Sequence, residues 1–123
     1  MNIIQTPNAP QAIGPYSQAV VHNGLIFTSG QIALDSQNTM NNGDIRAQST
    51  QVLENLKAIL ESSGSSLQKV LKTTIFLTDI SNFDVFNEVY ASFFGTHKPA
   101  RSTIAVKALP KNALVEIECI AML

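Results

Sequence analysis

Residues 17–29 read SQAVVHNGLIFTS, which is two apolar runs joined by Asn23-Gly24. Asn-Gly between two such runs is a strong hairpin signal, because a type I′ turn needs positive φ at both central residues. We therefore expect strands over residues 17–22 and 25–29, joined by a tight turn. This hairpin begins a sheet onto which the rest of the chain must pack.

The segment before the hairpin, residues 1–15, contains Pro7, Pro10 and Pro15. Each proline removes a backbone donor and disfavours helix at the preceding residue. We expect this segment to be irregular.

A first helix is predicted over residues 44–62, after a polar loop. Asn42 or Asp44 is a suitable N-cap, and Gly64 suits the position that follows the helix. Apolar side chains recur at helical spacing, with charged ones on the opposite side. The apolar positions are Ile45, Val52, Leu53, Leu56, Ile59 and Leu60.

A second helix is predicted to begin near Ser81-Asn-Phe-Asp84, which resembles a capping box with Asp in place of Glu. Gly95 suits its end, so the helix should run to about Phe94. Its apolar side carries Val85, Phe86, Val89, Tyr90, Phe93 and Phe94.

Three further segments are rich in β-branched and apolar residues and predict strands over residues 69–78, 100–106 and 113–122. The resulting order, ββαβαββ, is typical of an α+β fold. Two helices would cover one face of a four- to six-stranded sheet, which gives a two-layer sandwich.

The composition indicates one domain, residues 1–123, that associates with copies of itself. Hydrophobic residues make up 45% of the chain and charged residues 14%, whereas an average domain is about 25% charged. Strand alternation also places apolar side chains on both sheet faces, with Ile75 and Leu77 opposite Val70 and Phe76. We expect the uncovered face to contact other subunits of a homo-oligomer.

Charge and cysteine content exclude several classes of function. A net charge of -1 with eight Lys and Arg residues disfavours binding to nucleic acid or to anionic membranes. The single cysteine, Cys119, cannot form an internal disulfide or a zinc cluster. No signal peptide or membrane-spanning run is visible. We expect a cytoplasmic, reduced protein, and the shortage of ligand side chains disfavours metal catalysis.

An arginine and two glutamates are the strongest candidates for a site. Arg101 and Thr103 share one face of a predicted strand, and Glu116 and Glu118 lie two residues apart in another. Partly buried carboxylates need partners or change their pKa. The short turn at residues 109–112 suggests that the two strands pair antiparallel, which would place Arg101 beside a glutamate.

Two interpretations of these residues remain open. They form a structural ion pair or solvated glutamates, or they form a site in which Arg101 holds a small carboxylate and a glutamate orients water. Tyr16 is either a surface aromatic or part of that site. Gly30 interrupts a strand, which costs stability unless a backbone or ligand approaches closely. His22 and His97 are isolated, so we interpret them as structural.

Six motifs occur in a fixed order along the chain. They are AIGPYSQA (12–19), TSGQI (28–32), QVLENLKAIL (51–60), KTTIFLTD (72–79), PARST (99–103) and LPKNALVEIE (109–118). Together they strongly resemble the Rid family, the reactive intermediate/imine deaminases also called YjgF. The Arg of the PARS motif makes the chain look most similar to the RidA-like subfamily.

The resemblance implies a fold and an activity. The fold is a chorismate-mutase-like homotrimer with clefts between its subunits. The activity is hydrolysis of reactive 2-imino acids and enamines, such as 2-aminoacrylate and 2-iminopropionate, to a 2-keto acid and ammonia. The small imino acid is the implied partner, and no cofactor or metal is implied.

The resemblance also implies roles for individual residues. Arg101 would hold the substrate carboxylate, and Glu116 would position the attacking water. Tyr16 would line the cleft from the neighbouring subunit and assist proton transfer. Ser29 and Gly30 would form the cleft wall, with backbone groups facing the imine.

Two further positions are assigned by motif. Asn87 would support the pocket. Thr103 stands where many relatives carry Cys, which excludes a thiolate nucleophile there but leaves water attack unaffected. The Gly95-Thr-His-Lys98 loop is shorter than in some relatives, so we expect a different pocket size.

Two other functions compete with the deaminase. One is a non-catalytic or regulatory protein that binds a 2-keto acid. The other is an endoribonuclease, a label that some relatives carry, which the net charge of -1 disfavours.

Overall fold

The predicted hairpin is present in the computed structural model, which describes residues 1–123. Asn23 and Gly24 have φ of 51° and 76°, as a type I′ turn requires. The elements are β1 (Asn2–Ile4), β2 (Ala19–His22), β3 (Leu25–Thr28), α1 (Ile45–Ser62), β4 (Val70–Leu77), α2 (Phe83–Phe94), β5 (Ala100–Ala105) and β6 (Val115–Met122).

The six strands form one sheet in the order β1-β2-β3-β6-β4-β5. β4 and β5 are parallel and joined through α2, whereas every other neighbouring pair is antiparallel. The two helices contact each other, and the side chains that they bury face one side of the sheet. The two-layer α+β sandwich is therefore confirmed.

The first helix begins and ends as predicted. The Asp44 side chain accepts a hydrogen bond from the Ala47 backbone N–H at 2.9 Å, which caps the helix. Gly64 follows the helix with φ of 88°, a left-handed conformation that favours glycine. All six predicted apolar positions of α1 are buried in the core.

The predicted capping box of the second helix is wrong. Asp79, rather than Ser81, caps this region, and its side chain accepts the Ser81 N–H at 2.9 Å. A 3-10 turn over Ile80–Asn82 then leads into α2, and Asn82 makes no side-chain cap. The predicted end is confirmed, because Gly95 has φ of 61° and its N–H bonds back to the helix.

The expectation of an irregular N-terminal segment is wrong at its start. Residues Asn2–Ile4 form β1, which pairs antiparallel with β2. The three prolines all lie beyond this strand, so their missing donors do not disturb its hydrogen bonds. The sheet consequently gains a sixth strand.

The predicted pairing of the Arg101 strand with the Glu116 strand is also wrong. β5 pairs with β4 in parallel, because the α2 crossover brings the chain back in the same direction. Residues 106–114 separate β5 from β6, which is too long for a tight hairpin. β6 instead lies between β3 and β4.

Val70 lies on the opposite sheet face from the one predicted. It is buried with Ile75 and Leu77 on the helix side, because the β4–β6 register shifts between Val70 and Lys72. Such an irregularity inserts one residue and reverses the alternation before it. Phe76 lies on the open face as predicted.

The sheet face opposite the helices carries large apolar side chains that nothing in the chain covers. Phe27, Ile104 and Met122 are 40%, 48% and 44% exposed. This agrees with the expected contact between copies of the chain. Neither helix combines the length and apolar character needed to cross a bilayer.

Candidate functional site

Arg101 lies on the edge strand β5, on the helix side of the sheet. Its Nη1 donates to Asn87 Oδ1 at 2.8 Å. The guanidinium carbon also lies 4.9 Å from the Tyr90 ring centroid and 5.5 Å from that of Phe83. These contacts with α2 are a hydrogen bond and two cation–π interactions, which together hold the side chain in place.

The charge of Arg101 has no carboxylate partner within the chain. The structure contains one ion pair, between Arg46 and Glu88, both of which are exposed. A cavity of about 380 Å³ opens beside Arg101 and contains a second cation, Lys98, and no acidic side chain. An anion is therefore the natural ligand of this cavity.

Glu116 lies on β6, on the open face of the sheet, and packs against Gly30. A Cβ atom on Gly30 would overlap Glu116 Oε2 and lie 2.9 Å from Glu116 Cδ. Gln31 and Ile117 exchange two backbone hydrogen bonds of 2.8 and 3.1 Å, which hold the two segments side by side. The close approach expected at this glycine is therefore made by the Glu116 carboxylate.

Burial raises the pKa of Glu116, and the charge of Glu118 raises it further. Both effects disfavour the carboxylate form. A carboxyl group with a raised pKa binds a proton more readily, as a general base requires.

Tyr16 and Glu116 line the same cavity, of about 450 Å³, together with Gly30 and Lys111. The phenol is 53% exposed at the rim. Three of the sequence-predicted site residues, Tyr16, Gly30 and Glu116, are therefore brought together on one side of the molecule.

Ser29 and Thr103 were also predicted to belong to the site, but they do not line either cavity. The Ser29 hydroxyl donates to the Ser17 carbonyl at 2.5 Å, which links the end of β3 to the segment before β2. Thr103 lies on the same face as Arg101, and its buried Oγ1 has no hydrogen-bond partner.

Arg101 and Glu116 do not meet within one chain. Arg101 is paired with the buried Thr73 on the helix side, whereas Glu116 is paired with Phe76 on the open side. β4 also separates their strands. The chain therefore carries two half-sites, an Arg101–Asn87 half and a Glu116–Gly30–Tyr16 half.

Tyr90 was expected only as part of an apolar helix face, and Thr73 only as one residue of a predicted strand. The available signal was the spacing of Asn87 and Tyr90, which are three residues apart and so lie on the same side of a helix. The structure shows that this side faces Arg101.

The remaining titratable candidates show no arrangement for catalysis. Burial raises the pKa of the Cys119 thiol to about 11, so the thiol stays protonated. His97 Nε2 is hydrogen-bonded to the Val70 carbonyl at 2.7 Å, in agreement with a structural role. No three His, Cys, Asp or Glu side chains lie close enough together to share a metal ion.

The fold and the half-sites define a small α+β protein with an arginine at a sheet edge that has no acidic partner in its own chain. The chain belongs to the Rid (YjgF) family: residues 6–123 match the family model described as Endoribonuclease L-PSP. A Rid-family protein of Yersinia pestis has a similar structure, with a TM-score of 0.96 and 50% identity over 99% of this chain and 98% of that one.

Two other relatives carry informative names. A 2-iminobutanoate/2-iminopropanoate deaminase of Dermatophagoides farinae is 46% identical over 122 residues, covering 98% of this chain and 95% of that protein. The structure of E. coli TdcF with bound serine superimposes with a TM-score of 0.95 and 42% identity, covering 100% of this chain and 99% of that one.

Proposed function

We propose that the protein hydrolyses small 2-imino acids, and the enamines that convert to them, to 2-keto acids and ammonia. The observation that carries this proposal is Arg101, a guanidinium held in place by α2 with no acidic partner in its own chain. A 2-imino acid presents a planar carboxylate next to its reactive carbon, which suits the fork of an arginine. The deaminase name of the Dermatophagoides relative supports the same chemistry.

Glu116 supplies the general base in this mechanism. It accepts a proton from water while the water oxygen bonds to C2 and the C=N π electrons move to nitrogen. With the imine protonated as its iminium, this attack gives a neutral carbinolamine. Glu116 then returns its proton to the amino nitrogen, the C–N bond breaks to release ammonia, and the hydroxyl loses its proton to water as C=O forms. Tyr16 lies at the rim of the same cavity, where its hydroxyl can relay a proton. Such assistance is worth about 10²- to 10⁴-fold in rate.

We further propose that the complete site forms between two subunits of a homotrimer. The supporting observations are that Arg101 and Glu116 lie on opposite faces of the sheet in one chain, and that the open face is apolar. In a ring of subunits, the Arg101–Asn87 half of one chain would face the Glu116–Gly30–Tyr16 half of the next. Ser29 and Thr103 line neither cavity of the single chain, so their proposed contact with substrate depends on this assembly. A cytoplasmic location stays a prediction.

The direct test is to add the protein to a pyridoxal-phosphate dehydratase that releases 2-aminoacrylate and to follow 2-keto acid formation. We expect the 2-keto acid to form faster when the protein is added than with the dehydratase in buffer alone. Tight binding of a 2-keto acid without any acceleration would favour the non-catalytic alternative. The family description names an endoribonuclease, so RNA binding is measured in parallel. Submicromolar affinity that falls steeply with salt would support that alternative.

Mixed oligomers test whether the site is shared between subunits. Arg101→Ala and Glu116→Gln chains should each be inactive alone but regain activity when refolded together. Random assembly pairs an intact arginine with an intact glutamate in about a quarter of the clefts of a ring. We expect about a quarter of the wild-type rate. Refolding Arg101→Ala with the double variant is the control and should restore nothing. A first mixture no more active than its parents would contradict a site shared between subunits.

Gly30→Ala tests the contact with Glu116 separately from stability. The added Cβ would overlap Glu116 Oε2, the end of a flexible side chain, so the fold accommodates alanine while the carboxylate moves. We expect a melting temperature within a few degrees of wild type and kcat lower by about 10²-fold. Gly64→Ala should behave in the opposite way, with lower stability at an unchanged rate, because Gly64 has φ of 88° and no neighbour within reach. Full activity of Gly30→Ala would contradict the assignment of Glu116.

A further inference from the structure

The Tyr90 ring, beneath Arg101, is anchored by a buried hydrogen bond to β4. The Tyr90 hydroxyl and Thr73 Oγ1 are 2.8 Å apart. Thr73 is completely buried and Tyr90 is 8% exposed, whereas Arg101 is exposed. Thr73 is also the residue opposite Arg101 in the β4–β5 pair. The strand that carries Arg101 and the ring beneath its guanidinium are therefore attached to the same point of β4.

The ring has little freedom to move. Phe94 stacks on Tyr90 with centroids 4.5 Å apart, and Phe86 lies at 5.6 Å on the same helix. Neighbouring aromatic rings of this kind hold each other in defined orientations. The hydroxyl bond to Thr73 fixes the remaining end of the ring, so Tyr90 offers Arg101 a rigid surface.

Arg101 needs such a surface because its side chain is long and exposed. Holding an arginine in one conformation costs rotamer entropy, because its side chain has several rotatable bonds. Asn87 fixes one nitrogen of the guanidinium, and the Tyr90 ring limits how its plane can tilt. One of the five N–H donors of the Arg101 guanidinium group bonds to Asn87, which leaves the other four for a ligand.

We infer that Tyr90, held by Thr73, is a positioning residue that presents the Arg101 guanidinium to the substrate carboxylate. This inference rests on the proposed function, in which Arg101 binds that carboxylate. Tyr90 contributes its ring to the wall of the cavity beside Arg101, but in the proposed mechanism neither Tyr90 nor Thr73 contacts the reacting carbon or the attacking water. Their loss should therefore weaken substrate binding and leave the chemical step nearly unchanged.

Thr73→Val and Tyr90→Phe remove the same hydrogen bond from opposite ends and keep the shape of the core. Each should raise KM for the 2-imino acid about three- to tenfold, with kcat within about twofold of wild type. The double variant should be no worse than the worse single variant, because both changes break one interaction. Tyr90→Leu also removes the ring and should raise KM further, by about tenfold or more.

Val89→Ala is the matched control, since Val89 is buried on α2 but makes no hydrogen bond or cation–π contact with Arg101 and does not line the cavity beside it. It should lower the melting temperature and leave KM unchanged. Equal KM values for wild type, Thr73→Val and Tyr90→Phe would overturn the inference.

Calorimetric binding of pyruvate and of its amide separates this inference from the proposed function. We expect Thr73→Val and Tyr90→Phe to weaken pyruvate binding about three- to tenfold and to leave the weak binding of the uncharged amide unchanged. If the wild type accelerates no imine hydrolysis but shows this pattern, the positioning role stands and the proposed function fails. Unchanged pyruvate affinity in both variants would overturn the positioning role whatever the activity.

Discussion

Replacing Arg101 with alanine should lower kcat/KM for a 2-imino acid by about 30- to 4,000-fold. Truncating one partner of a hydrogen-bonded charge pair costs about 2–5 kcal/mol, and each 1.4 kcal/mol corresponds to about tenfold. The substrate carboxylate would enter the cavity beside Asn87 without the guanidinium, and the remaining cation, Lys98, lacks a planar fork of donors. The measurement is the rate of 2-keto acid release over a range of substrate concentrations.

Arg46→Ala is the control for this variant, because Arg46 is the other arginine in the chain. Its ion pair with Glu88 is exposed, and exposed pairs contribute about 0–1 kcal/mol. We expect wild-type kinetics from it. Arg101→Lys keeps the charge but loses the planar fork, so its rate should lie between those of Arg101→Ala and wild type. A wild-type rate for Arg101→Ala would remove the central support of the proposed function.

Replacing Glu116 with glutamine should lower kcat by about 10²- to 10⁴-fold, because the amide cannot accept the proton of water. Glutamine has the same shape, so the contact with Gly30 and the affinity for a 2-keto acid should be retained. The measurement is kcat at saturating substrate, with keto acid binding as the check on the site. Glu118→Gln is the control on the same strand and face, and it should stay active at neutral pH.

The pH dependence of the rate tests the same residue. Glu116 acts as a base only when ionised, so activity should be lost as the pH falls through its raised pKa. The charge of Glu118 contributes to that raised pKa. Removing it in Glu118→Gln lowers the pKa of Glu116, and the loss of activity should therefore occur at a lower pH than in wild type. If wild type and Glu118→Gln lose activity over the same range of low pH, Glu116 is not the titrating base.

Local sequence signals predicted most of the fold. The Asn23-Gly24 turn, the Asp44 cap and the glycines that follow both helices each satisfy a requirement set within a few residues. The pairing of β6 is different, because it depends on which strand fills the gap between β3 and β4. A short turn near Pro110 was a misleading guide, since the connection it belongs to is much longer than a hairpin loop.

The candidate site was predictable residue by residue but not in its geometry. The motifs single out Arg101, Glu116 and Tyr16. They do not explain why residue 30 is glycine, which the structure does, because the Glu116 carboxylate occupies the place of a Cβ atom. No pattern in one chain shows that Arg101 and Glu116 face opposite ways, because that follows from their partners on β4. Thr73 and Tyr90 were overlooked because a buried threonine and a helical tyrosine look like ordinary core.

The apolar face formed around Phe27, Ile104 and Met122 has a consequence for the newly made chain. Before it binds other copies, the chain exposes an apolar sheet face to solvent, and such a surface promotes aggregation. Under the proposed trimer, assembly removes this hazard in the same step that completes each cleft. Solubility and catalytic competence would then have a common origin, and selection for either one would preserve the other.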